Sequence, residues 1–480
     1  MIFKVKQGFI ASGLLTVVGL LAACEQPANL NTTVNSNANN ATPIAVASPV
    51  TTPQAANPRA EANLPVTLPV LDAMFADESF AGELKSKLSL TDEQIGRLRT
   101  ISRESVGNLS ESETDEAAGS TTEAVKRAQE QIRAVVGEEK AAQLAGLVRE
   151  RWQQGGFEET AAGGEQKANG IPSDTRIVVN APAYRMDLFK DGQLVRSYKI
   201  GIGYPEFPLP VGMRKAETLI FNPTWTPPDE PWVKGKIQPG KKVEAGSALN
   251  PLGPIKIPIG SPSLIHGGKN PARLGGFASH GCVGLTNDQV QQVALDLAQL
   301  TGTQVTAEDV KNHLKNKTET KNVKLSQPIP VELRYETIVA EDGKLKIFRD
   351  VYERGTNTEE NLRAVLQAQG VAYDSLSEQE RSKISEALKQ MARDPAGNPV
   401  EAMPAGSVNN NSNKNVKETK TIKGAKEATI EIAALKGKGY PAPVDLNTGG
   451  AKPAKPLGAN TGNKNANTGN TNTSGQNKRF

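Results

Sequence analysis

Cys282 lies in Ser279-His280-Gly281-Cys282-Val283-Gly284-Leu285, sixteen residues after His266, and reads as a catalytic nucleophile. A thiol attacks carbonyls as its thiolate, so it needs a base or a cation beside it, and acyl transfer also needs N–H donors for the developing oxyanion. If Ser279 to Val283 is extended, His280 and Cys282 face the same side, and Gly281 between them lets a carbonyl substrate approach the backbone amides. His266, after the apolar Leu264-Ile265, is placed to come from an adjacent strand and set its imidazole beside the sulfur. Two of the chain's 3 histidines thus bracket the thiol; His313, in Lys311-Asn312-His313-Leu314, reads as a surface residue. The competing reading is a buried structural cysteine whose histidines are satisfied by the main chain. A metal site fits poorly, because one Cys and two His leave a fourth ligand unnamed and show no short paired spacing.

Whether Cys282 is the only free thiol turns on Cys24, the other of the chain's 2 cysteines. A basic start (Lys4, Lys6) and an apolar run from Phe9 to Ala22 precede Leu21-Ala22-Ala23-Cys24, which makes residues 1–23 an export signal. The run is shorter than the roughly 20 apolar residues a membrane-spanning helix needs. Its small residues before a cysteine resemble a bacterial lipoprotein processing site. That resemblance implies a lipidated Cys24 and a membrane anchor at the new N-terminus, with no thiol left to pair. Glu25 in the next position implies the outer membrane, facing the periplasm, in a cell that has one. The alternative is an ordinary secretory signal that leaves Cys24 free to bridge Cys282.

The elements that must position the site occupy the middle of the 480 residues, since Asn, Thr, Gly, Ala and Pro dominate long stretches at both ends. A net charge of +4 from 56 basic and 52 acidic residues offers no case for nucleic-acid binding. Residues 24–66 read as a disordered tether. Residues 67–154 are helical by pattern: Thr91-x-x-Gln94 and Ser120-x-x-Glu123 have capping-box spacing, and Val125, Ala128, Ile132, Val135 and Val136 form an apolar stripe. Leu88-Ser89-Leu90-Thr91-Asp92-Glu93-Gln94 is similar to repeats in small helical periplasmic chaperones. The plainer reading is a spacer, or a docking module for an envelope protein. A Gly/Ala/Glu-rich linker spans 155–171.

Strands at Arg176–Asn180, Tyr184–Phe189 and Leu194–Ile200, the last two joined by the turn Asp191-Gly192, open a β-rich domain placed at 172–310. The Pro- and Gly-dense stretch 201–262 suits long loops. After Cys282 the period changes: Thr286-x-x-Gln289 caps a helix with Val290, Val293, Ala294 and Leu297 on one face, and Gly302 ends it. Residues 328–353 read as a hairpin, Val331–Val339 with Leu345–Tyr352 about Asp342-Gly343. Residues 357–393 read as helical, and 396–480 as a mostly disordered tail with a short helix at Ala425–Leu435. The tail's lysines read as solubilising, with loose attraction to an anionic cell wall as the alternative. The fold class is therefore α+β.

At these residues the chain resembles the L,D-transpeptidase catalytic domain of bacterial cell-wall enzymes. His266-Gly267 and Ser279-His280-Gly281-Cys282 match its pattern. Gly201-Ile202-Gly203, Asn222-Pro223-Thr224-Trp225-Thr226-Pro227-Pro228 and Asn250-Pro251-Leu252-Gly253-Pro254 extend the likeness across roughly 175–308. The resemblance implies a mixed β-sandwich with a helix after the catalytic cysteine. It makes Cys282 the nucleophile toward peptidoglycan stem peptides, His266 the general base and proton donor, His280 and Ser279 orienting residues, and the amides of Gly281 and Cys282 the oxyanion site. It implies no metal or organic cofactor. In function it implies 3-3 cross-linking through a thioester with release of D-alanine; the alternatives are an L,D-carboxypeptidase and a catalytically idle wall-binding lipoprotein. Two residues depart from the pattern: Gly284 replaces the usual arginine or asparagine, and Leu209-Pro210-Val211-Gly212 replaces a Thr-Pro-x-Gly turn.

Overall fold

A computed structural model describes residues 65–75, 77–107, 120–154, 168–225, 242–260, 263–395, 397–400, 422, 424–450 and 457. The export signal, Cys24 and most of the tether and first linker lie outside these residues. Among those described, no helix is long and apolar enough to cross a membrane.

The first region is helical: α1 (Leu68–Phe75), α2 (Glu78–Leu88), α3 (Asp92–Gly107), α4 (Thr121–Val136) and α5 (Glu138–Gln154). Thr91 and Gln94 exchange reciprocal cap bonds of 3.1 and 3.2 Å before α3, and Ser120 accepts from the Glu123 amide to start α4. The buried line on α4 is Ala124, Ala128, Ile132 and Val136, an i, i+4 series that fits the helical period better than the stripe expected from sequence. Val125 and Val135 flank it at intermediate burial.

The catalytic region is built on β1 (Arg176–Asn180), β2 (Arg185–Lys190), β3 (Gln193–Lys199), β4 (Ile202–Gly203), β5 (Gly212–Phe221), β6 (Ile255–Pro258), β7 (Leu264–His266), β8 (Phe277–Ser279), β9 (Val283–Gly284) and β10 (Lys321–Arg334). Eight of them form one mixed sheet in the order β3-β2-β1-β10-β5-β6-β7-β9, and β4 pairs with β8. Helix α6 (Asn287–Thr301) follows β9, with the Thr286–Gln289 capping box formed and Gly302 in the left-handed conformation at its end. Its Val290, Val293, Ala294 and Leu297 are fully buried. A short helix α7 (Ala307–Lys315) leads to β10.

Two expectations change here. The stretch read as loops contains β5 and β6; β5 was obscured because Arg214 occupies one of its buried positions. Residues 331–334, read as part of a hairpin, instead end β10, which lies parallel to β1 and antiparallel to β5 in mid-sheet. The sheet thus continues past residue 310. Pro328 falls in the register break between Lys324 and Ile329, where a missing N–H costs no ladder bond, so proline here marks an irregularity within a strand.

The real hairpin is β11 (Ile338–Glu341) and β12 (Lys344–Phe348), about Asp342-Gly343 as expected, with φ of +42° and +78°. Helices α8 (Glu359–Ala368) and α9 (Glu378–Met391) pack on it. The helix expected at Ala425–Leu435 is instead strand β13 (Glu427–Glu431) and a 3-10 turn at Ala433–Leu435. Ala428, Ile430 and Ile432 alternate with exposed residues, a strand period, and β13 completes the three-stranded sheet beside β12. Farther on, Val444 and Asn447 exchange backbone bonds of 2.8 to 2.9 Å with Ser197 and Lys199, covering the β3 edge.

Candidate active site

β7 and β9 run parallel, with Ile265 opposite Val283 and His266 opposite Gly284. Ile265 and Val283 are fully buried in the main core, so their neighbours in sequence turn to the other face of the sheet. On β6, Lys256 pairs with His266. One row across three strands therefore reads Lys256, His266, Gly284. Cys282 directly precedes β9.

Residues 279–283 are not one extended strand, as the sequence reading assumed. Gly281 has φ of +82° and turns the chain between β8 and β9. Ser279 closes this turn: its Oγ donates to the Cys282 carbonyl at 2.6 Å and accepts from the Cys282 amide at 3.1 Å. The Cys282 amide, assigned to an oxyanion site, is thus engaged by Ser279 in this state. Ser263 Oγ donates to the Gly281 carbonyl at 2.8 Å from the other side. His280 makes edge-on contacts with Tyr204 and Phe207, at 5.3 and 4.7 Å between ring centroids. The motif therefore divides its roles: Ser279 shapes the turn, and His280 anchors it to the loop after β4.

Cys282 is 9% exposed and His266 3%. The Nδ1 of His266 lies 2.7 Å from the Gly267 carbonyl; since a carbonyl only accepts, Nδ1 carries the proton and Nε2 is the basic nitrogen. Among the described residues no hydrogen bond joins the imidazole to the thiol. Burial, then the charge of Lys269, pull the His266 pKa down to about 3, against the opposing pull of the Gly267 and Leu252 main chain. Lys256 adds to the lowering. Burial pushes the Cys282 thiol up, while a backbone hydrogen bond from Leu264 and the charge of Lys269 hold it down. The resting pair is a neutral thiol and a neutral imidazole, so the nucleophile forms as its proton is handed over.

Sequence reasoning missed Lys269, Lys256, Ser263 and the aromatic pair Tyr204 and Phe207, because each reaches the site through sheet register or a loop. His313 lies apart, against Phe221. Among the described residues no group of three or more His, Cys, Asp or Glu could hold a metal ion. A cavity of about 320 Å³ between the main sheet and β11–β12 is lined by Arg185, Asp187, Arg334, Glu341 and Tyr440, and by none of the motif residues.

An α+β domain with a cysteine in a glycine turn and a histidine on the neighbouring parallel strand has the parts for cysteine acyl transfer. Residues 174–306 match the family model of the L,D-transpeptidase catalytic domain, YkuD, and the chain carries that domain there. No curated protein matches the chain. Similar solved structures include the E. faecium L,D-transpeptidase catalytic domain, at 19% identity over 34% of this chain and 100% of that one, TM-score 0.21. Others are an L,D-transpeptidase from Mycobacterium tuberculosis H37Rv, at 16% over 33% and 57%, TM-score 0.20, and one from Mycobacterium smegmatis, at 14% over 34% and 58%, TM-score 0.20. The chain spans less than three fifths of the last two.

Proposed function

We propose that this protein is an exported, lipid-anchored peptidoglycan L,D-transpeptidase that forms 3-3 cross-links through a thioester on Cys282. The observation that carries the reading is the register of β7 and β9, which sets Cys282, in the glycine turn that leads directly into β9, next to the strand that ends in His266. In the first half-reaction the Cys282 Sγ–H bond breaks and its proton passes to His266 Nε2. Sulfur bonds to the carbonyl carbon between the third stem residue and D-alanine, and backbone N–H groups near Gly281 donate hydrogen bonds to the oxyanion. The C–N bond then breaks, and D-alanine leaves with the proton from His266. In the second half, an amine of another stem bonds to the thioester carbon and gives a proton to His266, the C–S bond breaks, and that proton returns to the Cys282 sulfur. Lipidated Cys24 would hold the domain at the outer membrane, facing the periplasm where the cell has one. The helical region would serve as its docking module for an envelope protein.

The test is product analysis of purified disaccharide-tetrapeptide with wild type and Cys282→Ala. A Cys282-dependent dimer carrying a 3-3 bond is expected. Tripeptide and D-alanine without dimer would make the protein an L,D-carboxypeptidase, and unaltered substrate from folded protein would leave wall binding alone.

A further inference from the structure

Gly284 is flanked on both sides: it exchanges two 2.9 Å backbone bonds with Gly201, and it lies opposite His266 of β7, whose carbonyl accepts from the next amide, that of Leu285, at 2.8 Å. Its φ is not in the left-handed region, so backbone conformation does not demand glycine here. Space does. A Cβ at 284 would lie 2.9 Å from Cγ of Lys269, 3.2 Å from its Cε and 3.5 Å from its Cδ. The Lys269 stem lies across the bare backbone of Gly284, and its amide is tied to the Leu285 carbonyl at 3.0 Å. Lys269 leaves the chain three residues after His266 and returns over the residue two beyond Cys282.

We propose that Lys269 is a positioning residue of this site: seated on Gly284, it supplies the positive field in which Cys282 gives up its proton, and Gly284 is glycine to make that seat. The proposal rests on Cys282 being the nucleophile. Among the described residues the charged and titratable groups acting on the pair are Lys269 from the segment after β7, Lys256 from β6, and His266 itself. Lys269 is the one charged side chain acting on Cys282 among the described residues, and it also acts on His266, joined there by Lys256. Among the described residues no carboxylate acts on either group, and a thiolate formed here meets the positive charge of Lys269. The field opposes a charged imidazolium while favouring the thiolate. The two effects oppose each other in the internal transfer from Cys282 to His266, but the field favours the thiolate once the proton has left the pair and speeds the onward transfer from His266 to the leaving amine.

The experiment is alkylation of Cys282 by iodoacetamide as a function of pH, in the full chain carrying Cys24→Ser so that one thiol remains. Alkylation reports the thiolate without any stem peptide. Lys269→Gln should slow it about threefold to tenfold below the plateau and move the profile to higher pH, a half to one unit of pKa being that factor. Lys269→Arg should restore most of the rate, and 1 M salt should shrink the gap between wild type and Lys269→Gln. Gly284→Ala, which displaces the stem, should slow the reaction as well. A wild-type profile for Lys269→Gln would overturn the proposal, and a wild-type profile for folded Gly284→Ala would overturn the seat. Failure of wild-type Cys282 to alkylate at any pH would sink the nucleophile and the proposal together. Alkylation indifferent to Lys269 sinks the proposal alone.

Discussion

At Cys282 the chain turns because Gly281 adopts a positive φ, a conformation that costs other residues energy, and Ser279 bonds both backbone groups of the cysteine to hold that turn. These contacts are local in sequence, which is why the motif was legible before any fold was known. His266 was legible for a similar reason, as a polar residue ending an apolar strand. Lys269 was not, because its relation to Cys282 depends on β7 and β9 lying side by side. The buried imidazole also makes a prediction. His266 titrates near 3 in the fold and near its ordinary 6.5 when unfolded, so between these values the unfolded chain binds the extra proton. Stability should fall as pH falls through that window, by up to about 1.4 kcal/mol per pH unit. In urea titrations from pH 6.5 to 4, His266→Gln should flatten that slope. Equal slopes in the two proteins would mean the imidazole is not buried neutral.

Elements with local signals were legible: the capping boxes of α3 and α6, and the two Asp-Gly hairpin turns. Strand β10 was not, because Pro328 and Pro330 read as breakers while the pairing that tolerates them is supplied by β5, about a hundred residues earlier. The loop from Gly203 to Val211 is where elements meet. Its residues Tyr204 and Phe207 hold His280. Behind it, Thr67 donates to the Glu206 carbonyl at 2.8 Å, Thr121 to the Pro205 carbonyl at 2.7 Å, and Trp152 of α5 to the Val211 carbonyl at 3.2 Å. Tyr352 donates to the Gly203 carbonyl at 2.8 Å. The helical region therefore supports the site's loop from behind. Trp152→Ala removes a side chain that is 2% exposed, at a cost of about 3–5 kcal/mol. It should also speed hydrogen exchange at the Tyr204 amide, which donates to the Ser279 carbonyl at 2.9 Å. Unchanged exchange there, with the helices loosened, would show that the region is only a spacer.

Across the whole molecule, the segment 424–450 changes what counts as the working unit. It adds β13 to the second sheet and lays Val444 and Asn447 along β3. Asn447 also accepts, at 2.9 Å, from the side chain of Gln289, which caps the helix after Cys282. A protein ended at 395 would expose the β3 edge and remove one of these supports, so the site should be measured with the tail in place. Composition concealed this, because Gly, Pro and Asn surround a short strand whose partners precede it by some eighty residues. The most direct measurement is intact-protein mass spectrometry of the full chain carrying Cys24→Ser, incubated with disaccharide-tetrapeptide, beside the same protein with Cys282→Ala. An acyl adduct on Cys282 with one D-alanine released per adduct is predicted, and none on the variant. Folded protein with a reduced thiol that forms no adduct and releases no D-alanine would contradict Cys282 as the nucleophile.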